Sequence, residues 1–278
     1  MSTETHNESL EDFVFVDGAK LSNDKNTLIS YDGNCEHYEI PEGVIVVGKK
    51  AFAENTQIQS ITIPESVKIL ERVAFASCKS LKKVVFKGNS IEIGDACFMG
   101  CEILEDITLP KSTRLIGESA FWQCESLKQI YIPETVKCIS KDAFSDCKNL
   151  KDVVLAEGVM EIGCAAFQRC DALEEIILPY SMEYVGEASF TDLKRCFYSN
   201  PKTVFEENAF GWCGNDFRLF LPKGADVENA GMAMPRGIVG YNKYVRRSIT
   251  AVRTSILKFS SIYGRCTDGH LIKRSNFA

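Results

Sequence analysis

The sequence predicts a repeat solenoid, mainly β, in which short parallel strands stack coil upon coil. Three observations predict it: a phenylalanine recurring every 23 residues, a strand-like apolar alternation at a fixed offset from it, and proline or glycine punctuating each unit. The ladder runs Phe52, Phe75, Phe98, Phe121, Phe144, Phe167 and Phe190, with Phe210 following after 20 residues. A period of about 20 to 50 residues decides an architecture before local propensity does.

Each element of the unit follows from residue chemistry. An apolar residue lies 17 positions before the phenylalanine of its unit (Ile58, Leu81, Leu104, Leu127, Leu150, Leu173). Two more follow at three and five, as Ile130 and Ile132 follow Leu127. A period of two puts that pair on one face of a strand. Proline comes next at Pro41, Pro64, Pro110, Pro133 and Pro179, and ends the strand because it has no N–H to donate. A second short apolar pair follows, such as Val136 and Ile139, and reads as a second short strand or turn. The glycines behind it (Gly48, Gly94, Gly117, Gly163, Gly186) are expected to supply the positive φ of a tight turn. Ala51, Ala74, Ala120, Ala143 and Ala166, each just before a phenylalanine, mark where coils lie close together.

One unit is too short to bury its own apolar face, so the units must seal one another. With parallel strands at about 4.8 Å, eight coils extend roughly 35–40 Å, and the phenylalanines form a continuous spine.

The composite L-x-x-I-x-I-P-x-x-V-x-x-I-G-x-x-A-F-x-x-C-x-x, nearly intact in Leu127–Asn149, resembles the 23-residue leucine-rich repeat of the BspA-like family. The likeness covers about Cys35 to Cys213, and Gly18–Tyr31 resembles the hairpin leading into the first repeat. The resemblance implies a right-handed solenoid of the leucine-rich-repeat type, used for protein binding and often serving as a surface adhesin in bacteria and protozoan parasites. The expected organisation is a disordered acidic tail (1–12), a capping hairpin (13–34), a solenoid of about eight coils (35–222), and a C-terminal cap with a basic amphipathic segment (223–278).

Composition bounds the chemistry. The chain is 45% apolar and 25% charged with a net charge of −6, an ordinary soluble balance. Three histidines leave little for acid–base or metal work. Gly237–Gly240 is neither a P-loop nor a dinucleotide fingerprint, because the strand–helix context is missing. No spacing demands a Cys–His nucleophile pair. No catalytic residue, metal or cofactor is therefore expected. Of twelve cysteines, Cys78, Cys101, Cys124, Cys147, Cys170 and Cys213 hold one repeat position three residues after the phenylalanine, with Asn55 and Leu193 substituting. They read as small, buried, free thiols.

In the strand, the residue between the two inward positions points to solvent. That outward column is Thr62, Val85, Thr108, Tyr131, Val154 and Ile177. Four of the six are apolar or aromatic, which suits a protein contact stripe and equally suits plain strand propensity. Beside it run Ser60, Lys83, Asp106, Gln129, Asp152 and Glu175. The site expected to touch a protein partner comprises the outward column with Lys83 and Asp106, Tyr131 being its best anchor.

Residues 1–242 carry 24 basic and 37 acidic side chains (−13), whereas 243–278 carry 8 and 1 (+7). Val245, Ile249, Val252, Ile256, Phe259 and Tyr263 follow helical spacing, which predicts a basic amphipathic helix. It would cap the last coil or meet an anionic membrane surface through 243–263; a strand is the other reading of this Ser-, Thr-, Val- and Ile-rich stretch. Nucleic acid is not expected, since the acidic body repels phosphate. The polar start, Met1–Asp12, is unlike a signal peptide, so a cytoplasmic monomer is expected; the resemblance points instead to a surface or secreted protein.

Overall fold

The computed structural model describes residues 13–214, 216–220, 222, 224, 263–265 and 271–273. At the N-terminus β1 (Val14–Val16), β2 (Ala19–Leu21) and β3 (Thr27–Tyr31) form an antiparallel meander. Each later coil contributes two strands. The first set is β4 (His37–Glu39), β6 (Ser60–Ile63), β8 (Lys83–Phe86), β10 (Asp106–Ile107), β12 (Gln129–Ile132), β14 (Asp152–Leu155), β16 (Glu175–Leu178), β18 (Arg195–Tyr198) and β20 (Arg218–Phe220). The second is β5 (Val46–Val47), β7 (Ile69–Leu70), β9 (Glu92–Ile93), β11 (Leu115–Ile116), β13 (Cys138–Ile139), β15 (Glu161–Ile162), β17 (Tyr184–Val185) and β19 (Val204–Phe205). Pairing within each set is parallel, with residues one repeat apart directly opposite, as Thr62 faces Val85. β3 joins the second set by pairing parallel with β5, so the N-terminal meander extends that sheet.

The predicted spine is present. Every ladder phenylalanine is at most 1% exposed, and successive rings stack with centroids 4.8–5.6 Å apart and planes within 14°. Offset stacking of this kind contributes about 0.5–1.5 kcal/mol per pair beyond area burial. Tyr31 and Tyr38 finish the spine at one end, against Phe52, and Phe205 and Phe217 pack on Phe210 at the other.

The backbone around each phenylalanine differs from the sequence expectation. Positive φ falls two residues before it, at Lys50, Val73, Ala96, Ser119, Asp142, Ala165, Ala188 and Asn208, and again two residues after most of them, at Glu54, Ser77, Gln123, Asp146, Arg169 and Asp192. None of the five glycines expected to supply it does so. Their reason is space: a Cβ on Gly117 would lie 2.5 Å from the Asp95 amide nitrogen, and one on Gly186 2.7 Å from that of Cys164. The left-handed residues hold an alternation of amides. Phe75 N–H donates to the Cys97 carbonyl of the next coil at 2.8 Å, while Ala74 and Ala76 N–H close turns within their own coil, on Glu71 and Val73. A non-glycine in this region costs about 1–2 kcal/mol, which the inter-coil bonds offset.

The last full coil is shorter by three residues. Ile176 faces Cys196 and Ile177 faces Phe197, an offset of 20. Leu193 therefore aligns with Leu173 and opens a strand. It is not a substitute in the cysteine column, because that position has been deleted from this coil.

No helix occurs among the described residues. The expected C-terminal helix lies outside them except for Tyr263, which stands in β21 (Tyr263–Arg265), antiparallel to β22 (Leu271–Lys273). Gly264 beside it is a poor helix former. The acidic tail 1–12 and the rest of 243–263, the stretch for which a cap or a membrane contact was expected, also lie outside the described residues. No described helix is long and apolar enough to cross a membrane.

Phe121→Ala empties the middle of the stack and is expected to cost about 3–5 kcal/mol, lowering the thermal midpoint by many degrees; a shift of a degree would refute the spine. Gly117→Ala should destabilise more than Ala96→Gly in denaturant titration, because the first drives a Cβ into backbone and the second relieves a left-handed strain.

Candidate functional site

Cysteine is the most reactive side chain type present. Cys78, Cys101, Cys124, Cys147 and Cys170 are buried and free. Each Sγ donates to the carbonyl of the preceding coil's ladder phenylalanine, at 3.0–3.2 Å. Cys213 repeats the contact on Phe190 at 3.7 Å. Burial, the largest cause, raises Cys101, Cys124, Cys147 and Cys170 above the ordinary thiol value of 9.0. A raised value keeps the thiol protonated, whereas nucleophilic and metal chemistry need the thiolate. The column is structural: each sulfur is a second donor to a carbonyl that already accepts the N–H three residues on in its own coil, as Phe52 O accepts from Asn55 N–H and Cys78 Sγ. Among the described residues no cluster of three His, Cys, Asp or Glu is placed to hold a metal ion.

The outward column is brought together as expected, in three pieces. Glu39, Thr62 and Val85 share one ladder; Tyr131 and Val154 face each other in a second; Ile177, Phe197 and Phe220 run through a third. Thr108 falls where β10 has ended and the ladder breaks, and it is exposed while the other five expected members are half-buried. Lys83 and Asp106 bind each other across adjacent coils, Nζ to Oδ2 at 2.7 Å. Both are about half exposed, and such a pair contributes little to stability. Their charges are engaged on the protein itself, which weakens their standing as partner contacts. Burial, and after it the nearby carboxylate of Glu134, raises the Tyr131 phenol above its ordinary 10.0, so it is a neutral hydroxyl at physiological pH.

Phe197 and Phe220 were missed by reading a strict 23-residue period. The signal was there: Leu193-x-x-Cys196-x-Tyr198 repeats the strand pattern with Phe197 in the outward place. Their rings stack at 4.2 Å with planes 12° apart. The column is thus apolar over five consecutive coils: Tyr131, Val154, Ile177, Phe197 and Phe220. The second sheet has an outward column of its own, with Ile69, Leu115 and Val204 exposed, but Glu92, Cys138 and Glu161 interrupt it.

The BspA type leucine rich repeat region is matched in six copies, over residues 25–151 and 114–223. The chain belongs to the BspA-type leucine-rich repeat family. Among solved structures, this repeat protein is similar to a leucine-rich cell surface protein of Faecalibacterium prausnitzii, at 22% identity over 75% of this chain and 76% of that one, with a TM-score of 0.54. Leucine-rich repeat proteins of Bacteroides ovatus (20% identity, 76% and 69% covered, TM-score 0.41) and T. pallidum (25%, 55% and 86%, 0.45) match as well. The first of these likenesses establishes a shared fold. No curated protein matches the chain.

The thiol column carries a pH dependence with a definite sign. Native thiols hold their protons while unfolded ones release them near 9, so stability is full below that value and falls as pH rises through it. The slope is about 1.4 kcal/mol per pH unit for each of Cys101, Cys124, Cys147 and Cys170. Urea midpoints measured at pH 8, 9 and 10 should fall steeply, and Cys124→Ser should make the fall shallower by one thiol's share.

Proposed function

We propose that this BspA-type repeat protein is a non-enzymatic binding module that presents the outward face of its first strand set to a protein partner. The observation carrying the proposal is the unbroken apolar run Tyr131, Val154, Ile177, Phe197 and Phe220 on the side of the sheet away from the core. Solvated strand faces normally alternate apolar-in with polar-out, and a continuous apolar stripe rimmed by polar residues is the mark of a contact surface. The family supports the same use, since its members are generally interaction or surface proteins.

For the compartment, the cytoplasmic expectation gains no support from the fold or the comparisons. The Faecalibacterium prausnitzii protein that shares the fold is described as a cell surface protein. We place this chain at a cell surface on that analogy, where it would act as an adhesin. Protease shaving of intact cells tests it: cleavage within residues 13–220 supports the surface, and full protection refutes it.

For the face, Tyr131→Glu and Ile177→Glu are each expected to lower capture of the partner at least about tenfold, as the loss of a buried anchor does. Thr62→Glu, at the polar end, should leave capture nearly unchanged. Equal capture by all three variants would refute the assignment.

A further inference from the structure

We propose that the outward face of the second strand set binds a second copy of this chain, with the two solenoids antiparallel, so that the first coil of each meets the last coil of the other. The inference goes beyond the contact surface on the first set, which lies on a different side of each coil, and puts a symmetric pair in place of the monomer expected from the sequence. Charge, apolar surface and symmetry carry it.

Three positions of each coil project from this face. One is the outward residue of the strand itself. It runs Val46, Ile69, Glu92 and Leu115 through β5 to β11, and Cys138, Glu161, Tyr184 and Val204 through β13 to β19. The stack continues where these two ladders meet, since the Ser140 hydroxyl donates to the Ile116 carbonyl at 2.6 Å. The others are the residue before it and the residue three after it, as Lys68 and Arg72 stand about Ile69. Ile69 and Leu115 line a groove of about 320 Å³ with Lys49, Arg72 and Glu92, which places the third position on the same face.

The charges divide by end. The first two coils carry Lys49, Lys68 and Arg72, and the last two carry Glu183, Glu187 and Glu207, all exposed. None of the six joins an ion pair among the described residues. Glu71 and Glu206, which stand beside them, are engaged at home: Glu71 accepts from Lys49 N–H at 2.8 Å, and Glu206 from Glu187 N–H at 3.0 Å. Each end is thus the electrostatic complement of the other.

Symmetry selects the arrangement. Counting coils from the one that holds Phe52, a two-fold axis along the strands between the fourth and fifth coils turns the face onto itself. Arg72 then meets Glu187 of the second copy, Lys49 meets Glu207 and Lys68 meets Glu183, each contact occurring twice. Glu118 meets Lys141, a pair already formed within each chain at 3.6 Å. Between these charges Ile69 lies on Tyr184, Val46 on Val204 and Leu115 on Cys138. Two like pairs arise, Glu92 on Glu161 and Arg114 on Lys137, but they are diagonal neighbours, so carboxylates and cations alternate. A two-fold axis along the solenoid lays Arg72 on Lys68 and Glu187 on Glu183, and like charges so placed repel.

The face is small. Eight coils at ~4.8 Å and three positions spanning about 13 Å give roughly 450 Å² per copy. A pair burying about 900 Å² stands at the low end for specific interfaces, so association at micromolar and higher concentrations is expected. Pairing sets two first-set faces on one particle, and two linked sites hold a multivalent partner more tightly than either alone.

Sedimentation equilibrium of the full chain tests the proposal. From about 1 to 100 μM the mass should rise from one chain towards two, and added salt should reverse the rise. Arg72→Glu and Glu187→Arg should each lower association at least about tenfold, because each sets two like-charge contacts in the pair. Mixing the two variants, or joining both changes in one chain, should restore it. Thr62→Glu, on the other sheet, should leave association unchanged. An unchanged thermal midpoint for each variant shows the coils intact. The mass of one chain at every concentration overturns the proposal. So does a pair indifferent to both charge reversals, which would put the second copy elsewhere, and so does one that both reversals weaken and the mixture fails to restore, which would remove the antiparallel facing.

Discussion

Burial by neighbours is the constraint on which everything else in this molecule depends. A 23-residue coil has two strands of two to four residues and cannot close a core alone. The two faces of its phenylalanine are covered by the ring above and the ring below. Register between coils is consequently strict: a slip of one residue would take the phenylalanine out of the stack, turn the strand's inward pair to solvent, and separate each thiol from its carbonyl. The ends of the stack are where this logic fails, and there the chain changes its residues, using Tyr31 and Tyr38 at one end and a cluster of Phe205, Phe210 and Phe217 at the other.

The turn that carries the phenylalanine shows how local strain is supported by long-range order. Alternating left- and right-handed residues send every second amide to the next coil, an arrangement that is poor for an isolated peptide and favourable only when the next coil is in place. The same dependence explains the cysteine column. A hydroxyl or amide at that position could also donate to the carbonyl, but in a dry interior a thiol loses less on desolvation and fills the gap as a small apolar side chain. Where no earlier ladder carbonyl is available, in the first repeat, the position holds Asn55, which accepts from Gln57 and Ile58 N–H instead.

The outward face proposed for partner contact is a by-product of this architecture. Because the inward positions and the ladder secure stability, the outward positions are free to vary, and they vary with direction, from threonine and valine to isoleucine and phenylalanine. The ion pairs between adjacent coils on the same face, Lys83 with Asp106 and Arg195 with Glu175, settle the flanking charges internally and leave the apolar column as its distinctive feature. Stable fold and adaptable surface thus come from the two faces of the same short strands.

The period, the strands, the spine, the buried thiols and the family were all legible in the sequence, since each is a residue type recurring at a fixed spacing, and stacking in register turns spacing directly into contact. Tyr131, Val154 and Ile177 were legible as outward residues for the same reason. What only the tertiary structure decided involves relations between coils that no single repeat contains. It moved the positive φ from the glycines to the residues flanking each phenylalanine, because the glycines answer to the backbone of the neighbouring coil. It paired Lys83 with Asp106, which a list of charges does not do. By measuring offset through hydrogen-bonded register and not by counting, it found the shortened coil that carries Phe197 and Phe220 onto the end of the outward column.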